Sequence, residues 1–148
     1  MSDEPREFTV DEANALVPTL HRIVSRQMLV LEELERELER LHKSTGVLPR
    51  EFEPRPGDGP EVSEMKGKVR DLIGRFEEGW AEVQRTGAVV KDPRTGLVDF
   101  YCRLEGEPVW LCWRFGEEAI AYYHGLDEGL AGRKPLGAAG PARHKLLS

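Results

Sequence analysis

The chain has 148 residues, a length typical of one domain, and its 27 acidic and 21 basic residues give a formal net charge of −6. Hydrophobic residues make up 39% and charged residues 32%, which is polar for a compact protein but too apolar for a disordered chain. Since no apolar run approaches the ~20 residues of a membrane span, the N-terminus is acidic and polar, and the overall charge is negative, we expect a cytoplasmic protein with no membrane and no nucleic-acid partner.

The first predicted element is a long helix over residues 9–43. It opens with a capping box, because Thr9 and Glu12 are three positions apart and each side chain can bond to the backbone amide of the other residue. Apolar residues then recur at helical spacing as far as Leu41. Pro18 cannot donate to the carbonyl of Asn14, which predicts that the helix kinks or restarts there.

A loop rich in proline and glycine, residues 44–61, separates this helix from a second one at 62–86. Gly67 and Gly74 lie on one line of the second helix, where each glycine costs about 1 kcal/mol relative to alanine. Their placement indicates either chance in a glycine-rich chain or a close helix–helix contact across a dimer. The two helices form a predicted antiparallel hairpin, 9–86. The wide apolar face of the first helix predicts a homodimer through the helices.

From Ala88 onward the apolar period changes to two, which predicts strands separated by turns. One of these strands, 109–115, is apolar on both faces, as a central strand is. We expect the others at 88–91, 97–104 and 119–124. The predicted fold class is α+β: a long antiparallel helical hairpin packed with a small antiparallel β-meander of three to four strands, 88–124. A basic tail, 133–148, completes a single domain, 1–148.

Two cysteines, Cys102 and Cys112, are too few for a disulfide framework. A three-residue turn between the second and third strands would place them opposite each other and allow a regulatory disulfide. Neither two-residue register would do so, and in that case both are small core residues.

The sequence contains no phosphate loop, no dinucleotide-binding glycine pattern and no paired-cysteine metal motif, and we expect no cofactor. One candidate ligand- or anion-binding cluster remains in the last third of the chain, at predicted strand ends and in the loop after the fourth strand. Its members are Asp99, Cys112, Glu117, His124, Asp127 and Arg133. Arg133 follows glycines that can free backbone amides for an anion. Alternatively, it forms an ion pair with Asp99, Glu117 or Asp127.

Among the four histidines of the chain, His124 is the best candidate for a chemical role. Our leading expectation is that no metal is bound, and the alternative is an acid–base pair or half a metal site made by His124 and Asp127. A purely structural interpretation has Asp127 accept a hydrogen bond from His124 or cap the segment 127–131. Glu117 and His124 are expected about 20 Å apart at opposite ends of one strand, which argues against a direct pair.

Several motifs together resemble the uncharacterised bacterial family called domain of unknown function 2203. They are Phe8-Thr9-Val10-Asp11-Glu12-Ala13-Asn14-Ala15-Leu16-Val17-Pro18, Lys91-Asp92-Pro93, Gly96-Leu97-Val98-Asp99-Phe100, Leu111-Cys112-Trp113, Gly116-Glu117, and His124 followed by Gly129 and Gly132-Arg133. The resemblance extends from Phe8 to about Leu136, except in the loop 44–61, and Tyr123 stands where the family would have tryptophan. The resemblance implies that the cluster belongs to the family pattern. It implies no activity, because the family has none assigned.

The helical hairpin and the lack of a catalytic signature favour a non-enzymatic interaction or scaffold protein. Two alternatives use the 99–133 cluster: a small-molecule- or metal-binding protein, and an enzyme that employs His124 with Asp127 or Glu117. Both alternatives require the cluster to surround a pocket. They lose support together if the candidate residues pair with one another and leave no cavity.

Overall fold

A computed structural model describes residues 5–137 of the chain. Two helices precede a five-stranded antiparallel sheet, so the predicted α+β class is confirmed. Within the described residues, no helix combines the length and the apolar character needed to cross a membrane. The helices are α1 (Val10–Thr45) and α2 (Pro60–Gln84), and the strands are β1 (Val89–Asp92), β2 (Leu97–Leu104), β3 (Glu107–Arg114), β4 (Tyr122–Gly125) and β5 (Lys134–Pro135), with a short 3-10 helix at Leu130–Gly132.

The start of α1 confirms the predicted capping box. The Glu12 amide donates to Thr9 Oγ1 at 3.0 Å, and the Thr9 amide donates to Glu12 Oε1 at 2.8 Å. Pro18 lies inside one continuous helix, so the predicted restart is wrong. A proline removes one backbone hydrogen bond, and the burial of Val17 and Leu20 on either side keeps the helix intact across that position.

The backbone contacts divide the chain into two compact units. The first, here called the sheet unit, comprises residues 5–25 and 81–137 of the described chain, and the second, the helical unit, comprises residues 26–80. In the helical unit α1 and α2 run antiparallel, since Gln27 Nε2 donates to the Phe76 carbonyl at one end and Ser44 meets Met65 at the other. A core forms between them from Val30, Leu34, Val69 and Leu72, with Leu38, Phe52, Ile73 and Phe76 partly buried around it.

The loop between the helices is shorter than predicted, because Thr45 closes α1 and Pro60 opens α2. Proline is tolerated at the first position of a helix, where no intrahelical partner exists for its nitrogen. Asp58 holds the loop against α2: its Oδ2 accepts from the buried Lys66 ammonium at 2.7 Å and from the Arg55 amide at 2.8 Å.

A side chain added at Gly67 or Gly74 would meet nothing within 4 Å in this chain. The close approach between helices occurs at Gly79 instead, where a Cβ would overlap the amide of Gln27. Within one chain, nothing packs closely at Gly67 or Gly74, and a contact there across a dimer stays a prediction.

The sheet is an antiparallel meander in the order β1-β2-β3-β4-β5. It has one strand more than the predicted three to four, because β5 forms within the segment predicted as a basic tail. β4 is shorter than the predicted 119–124, since the Ile120 amide donates to Asn14 Oδ1 at 2.7 Å rather than to a neighbouring strand. Residues 138–148 of the predicted tail, which include Arg143, His144 and Lys145, lie outside the described residues.

Glu105 and Gly106 form the turn of the β2–β3 hairpin, with φ of 54° and 81°. Two consecutive positive φ angles are typical of the two-residue type I′ turn. The turn places Cys102 opposite Val109 and Cys112 opposite Asp99. Both cysteines are free and buried, so the predicted alternative of a Cys102–Cys112 disulfide is wrong.

The two faces of the sheet differ in chemistry. One face carries Val98, Phe100 and Leu111, and the Phe8 ring packs edge-on against Phe100 at 5.0 Å. The opposite face carries Asp99, Cys112 and His124, since side chains alternate along each strand. β3 lies in the middle of the sheet, as its apolar sequence predicted.

Candidate functional site

Three buried polar side chains meet on the second face of the sheet unit. Asp99 on β2 lies directly opposite Cys112 on β3, and His124 on β4 lies opposite Trp110, one pleat along from Cys112. Strands β2 and β4 flank β3 and are therefore about 9.6 Å apart. The small side chain of Cys112 leaves the space in which Asp99 and His124 meet above the central strand.

The His124 ring is bound at both nitrogens. Its Nε2 lies 2.7 Å from Asp99 Oδ2, and its Nδ1 lies 2.9 Å from the Gly125 carbonyl oxygen. A carbonyl oxygen only accepts, so Nδ1 carries a hydrogen and donates it. The short contact to Asp99 then requires one further proton, on Nε2 or on Oδ2. In either case, the pair is neutral as a whole.

Burial sets the protonation of the acid and the thiol. It raises the pKa of Asp99 above the ordinary value of 3.8, and the adjacent His124 offsets part of that rise. Burial, together with the Asp99 carboxyl group, raises the pKa of the Cys112 thiol to about 12, so the thiol is protonated at neutral pH. Since both ring nitrogens of His124 are engaged, neither can accept the thiol proton. The geometry is not that of a cysteine–histidine nucleophile.

Glu117 and Arg133 form a second pair beside this cluster. Arg133 Nη2 lies 2.7 Å and 2.9 Å from the two carboxylate oxygens of Glu117, and it also donates to the Cys112 carbonyl at 3.3 Å. The guanidinium stacks over the Tyr122 ring at 4.1 Å. Of the three acids considered for Arg133, Glu117 is therefore the partner. The guanidinium has its counter-charge within the chain.

Asp127 does not join the cluster. Its side chain is exposed, and His124 bonds to Asp99 and Gly125 instead, so the predicted His124–Asp127 contact is wrong. The short 3-10 helix that follows has no side-chain cap, so the predicted capping role is not observed either. Instead, Glu128 Oε1 accepts a hydrogen bond from the Gly125 amide at 2.8 Å. The turn after β4 directs Glu128, rather than Asp127, back toward the strand.

The cluster has the composition of a metal-binding set. Asp99, Cys112 and His124 each offer one ligand atom, and these atoms lie within 4.8 Å of one another. Asp99 Oδ1 is buried, and no donor among the described residues bonds to it. The hairpin turn was the signal that could have identified this set, because a two-residue turn at Glu105-Gly106 places Asp99 opposite Cys112.

The cluster does not open into the nearby surface groove. That groove, of about 460 Å³, is lined by Asn14, Tyr122 and Leu136 among others, and no ligand atom of the cluster lines it. Asp99, Cys112 and His124 are each at most 2% exposed. The cluster is therefore an interior polar site of the sheet unit.

No curated protein and no solved structure matches the chain at a significant level. A family model described as "Uncharacterized conserved protein (DUF2203)" matches residues 6–136, which covers both helices and all five strands. The chain therefore belongs to the DUF2203 family of uncharacterized conserved proteins.

Proposed function

We propose that this protein is a non-enzymatic interaction protein that acts as a homodimer through its helices. The observation that carries this proposal is the engagement of His124 at both ring nitrogens. A general acid or base must reach a proton of its substrate, and a nucleophile must be activated by a neighbouring base. His124, the Cys112 thiol and the paired Glu117 all lack that freedom in this fold.

The helical unit supplies the proposed contact surface. The core cluster between the helices contains four buried apolar side chains, and four further apolar side chains that pack against it are only partly buried. We call these four the apolar strip: Leu38, Phe52, Ile73 and Phe76. Two helices alone cannot cover such a strip, whereas a second pair covers it in a four-helix arrangement.

A second copy of this chain is the occupant that the surface charges favour. Both helices carry exposed basic and acidic side chains that form ion pairs, such as Arg36 with Glu32 on α1 and Arg75 with Asp71 on α2. A two-fold axis brings the same patch of each copy together. A patch that carries both positive and negative side chains can face the same patch of a second chain with opposite charges in contact. A patch with charges of one sign would repel its copy.

Sedimentation equilibrium at tens of micromolar tests this proposal, and the expected mass is that of a dimer. Ile73→Glu places a charge in the apolar strip and should give a monomer whose circular dichroism is unchanged. Leu29→Glu is the matched control: Leu29 is 67% exposed and lies nine residues from Leu38, on the opposite side of α1. A monomeric wild-type protein, or equal loss of dimer in both variants, would overturn the proposal.

A further inference from the structure

The buried Asp99–Cys112–His124 cluster has the ligand chemistry and the spacing of a metal site. We propose that these three side chains bind one divalent cation of the zinc class. This inference is independent of the proposed interaction function, which needs no metal.

The donor set favours this class of ion. Thiolate sulfur, imidazole nitrogen and carboxylate oxygen together select zinc over the hard cations magnesium and calcium, which prefer oxygen alone. Bond lengths of about 2.0–2.3 Å to a tetrahedral zinc ion separate its ligand atoms by roughly 3.3–3.8 Å. The three ligand atoms here lie within 4.8 Å of one another. Asp99 Oδ2 and His124 Nε2, now 2.7 Å apart, need to separate by roughly 0.6 Å to admit the ion.

The surroundings of the cluster support the same inference. The hydrogen bond from His124 Nδ1 to the Gly125 carbonyl orients the ring with Nε2 toward the other two ligands, as second-shell bonds do in metal sites. Asp99 Oδ1 is buried and has no donor among the described residues. That oxygen is available for a bidentate carboxylate, which would supply a fourth ligand atom.

Charge balance makes the exchange compatible with a buried site. Without metal, the Asp99–His124 pair holds one proton between its members and the Cys112 thiol holds another, so the cluster is neutral. Binding breaks the S–H bond, releases the shared proton, and forms bonds from the ion to sulfur, nitrogen and carboxylate oxygen. No electrons are transferred. Two protons leave the cluster and one cation of charge +2 enters it. The net charge of the interior therefore does not change, and no uncompensated charge is buried.

Reconstitution of the full chain with cobalt(II) tests the proposal. Protein dialysed against a chelator should bind about one equivalent of Co²⁺ and gain a thiolate-to-cobalt charge-transfer absorption in the near ultraviolet. Zn²⁺ should abolish that absorption by displacement. Binding should release about two protons per ion, measured as the buffer dependence of the calorimetric enthalpy. Absence of stoichiometric binding, or binding without the charge-transfer absorption, would overturn the proposal.

A matched pair of cysteine variants locates the ion. Cys112→Ser should lose the charge-transfer absorption, whereas Cys102→Ser, altered at the other buried cysteine of the same hairpin, should retain it. Asp99→Asn should weaken Zn²⁺ binding by at least about tenfold. Absorption that survives in Cys112→Ser, or equal binding by wild type and Asp99→Asn, would assign the ion to an adventitious site. If Cys112→Ser does not fold, loss of the absorption in Cys102→Ser overturns the assignment, and its retention there with weakened binding by Asp99→Asn supports it.

Discussion

His124 Nε2 lies 2.7 Å from Asp99 Oδ2 although the two residues belong to strands that are not neighbours. The contact crosses over Cys112 on the intervening strand and so ties three strands together on one face of the sheet. A charge-assisted or shared-proton hydrogen bond of this length is strong in a buried setting. The first prediction concerns the proton that this contact holds.

In metal-free protein, stability should fall as pH rises above the ordinary pKa of Asp99, 3.8. Burial raises the pKa of Asp99 in the folded state, so above pH 3.8 the folded state favours a proton on this carboxyl group more than the unfolded chain does. The contribution of Asp99 to the free energy of unfolding is fully present below pH 3.8. It is lost as the pH rises through the pKa that Asp99 has in the folded state. Urea unfolding from about pH 4 to about pH 8 measures this contribution as the free energy of unfolding of the wild type minus that of Asp99→Asn. A difference that grows with pH would contradict the prediction.

Breaking the Glu117–Arg133 pair should lower the free energy of unfolding. Glu117→Gln keeps the shape of the side chain but leaves a largely buried guanidinium without its counter-charge, which costs about 2–3 kcal/mol. The neighbouring Glu118 is exposed, so Glu118→Gln is the matched control and should change stability by no more than about 0.5 kcal/mol. Equal effects of the two substitutions in urea unfolding would show that the pair does not stabilise the fold.

Both cysteines should be present as unreactive thiols in the native, metal-free protein. Burial raises the pKa of Cys102 to about 11 and that of Cys112 to about 12, and thiolate is the reactive form. A thiol reagent at neutral pH should label neither cysteine in buffer and both in denaturant, without added reductant. Recovery of fewer than two thiols from denatured, unreduced protein would indicate a disulfide and contradict the register of the β2–β3 hairpin.

Three glycines of α2 should respond differently to alanine. Gly67→Ala and Gly74→Ala should each raise the free energy of unfolding by about 0.5–1 kcal/mol, because alanine favours the helix and nothing obstructs its methyl group. Gly79→Ala should lower it by about 1–3 kcal/mol, since Gln27 would have to leave its bond to the Phe76 carbonyl.

The same substitutions separate two interpretations of the Gly67–Gly74 line. If the line were a close contact between two chains, Gly67→Ala would weaken the dimer. We expect the dimer to persist in this variant, because the apolar strip lies on another side of α2. Sedimentation equilibrium of Gly67→Ala at a series of concentrations measures the effect.

Local patterns predicted most of the elements of this fold. The capping box at Thr9 and the period of the apolar residues place α1, and the change of period after Ala88 places β1, β2 and β3. The errors occur where tertiary contacts override local preference. Asn14 binds the Ile120 amide and shortens β4, and the two residues of β5 form a strand by pairing with β4.

The candidate site shows the same division. The sequence alone identified the three residues of the polar face, Asp99, Cys112 and His124, and the nearby pair Glu117 and Arg133. It did not identify their contacts, because it paired His124 with Asp127, three positions away. Only the tertiary structure decided that His124 meets Asp99, because the contact depends on the length of a turn and on the register of three strands. A one-residue change of register moves every side chain to the opposite face. Element positions follow from local interactions along the chain, whereas the composition of the site follows from strand pairing between distant segments.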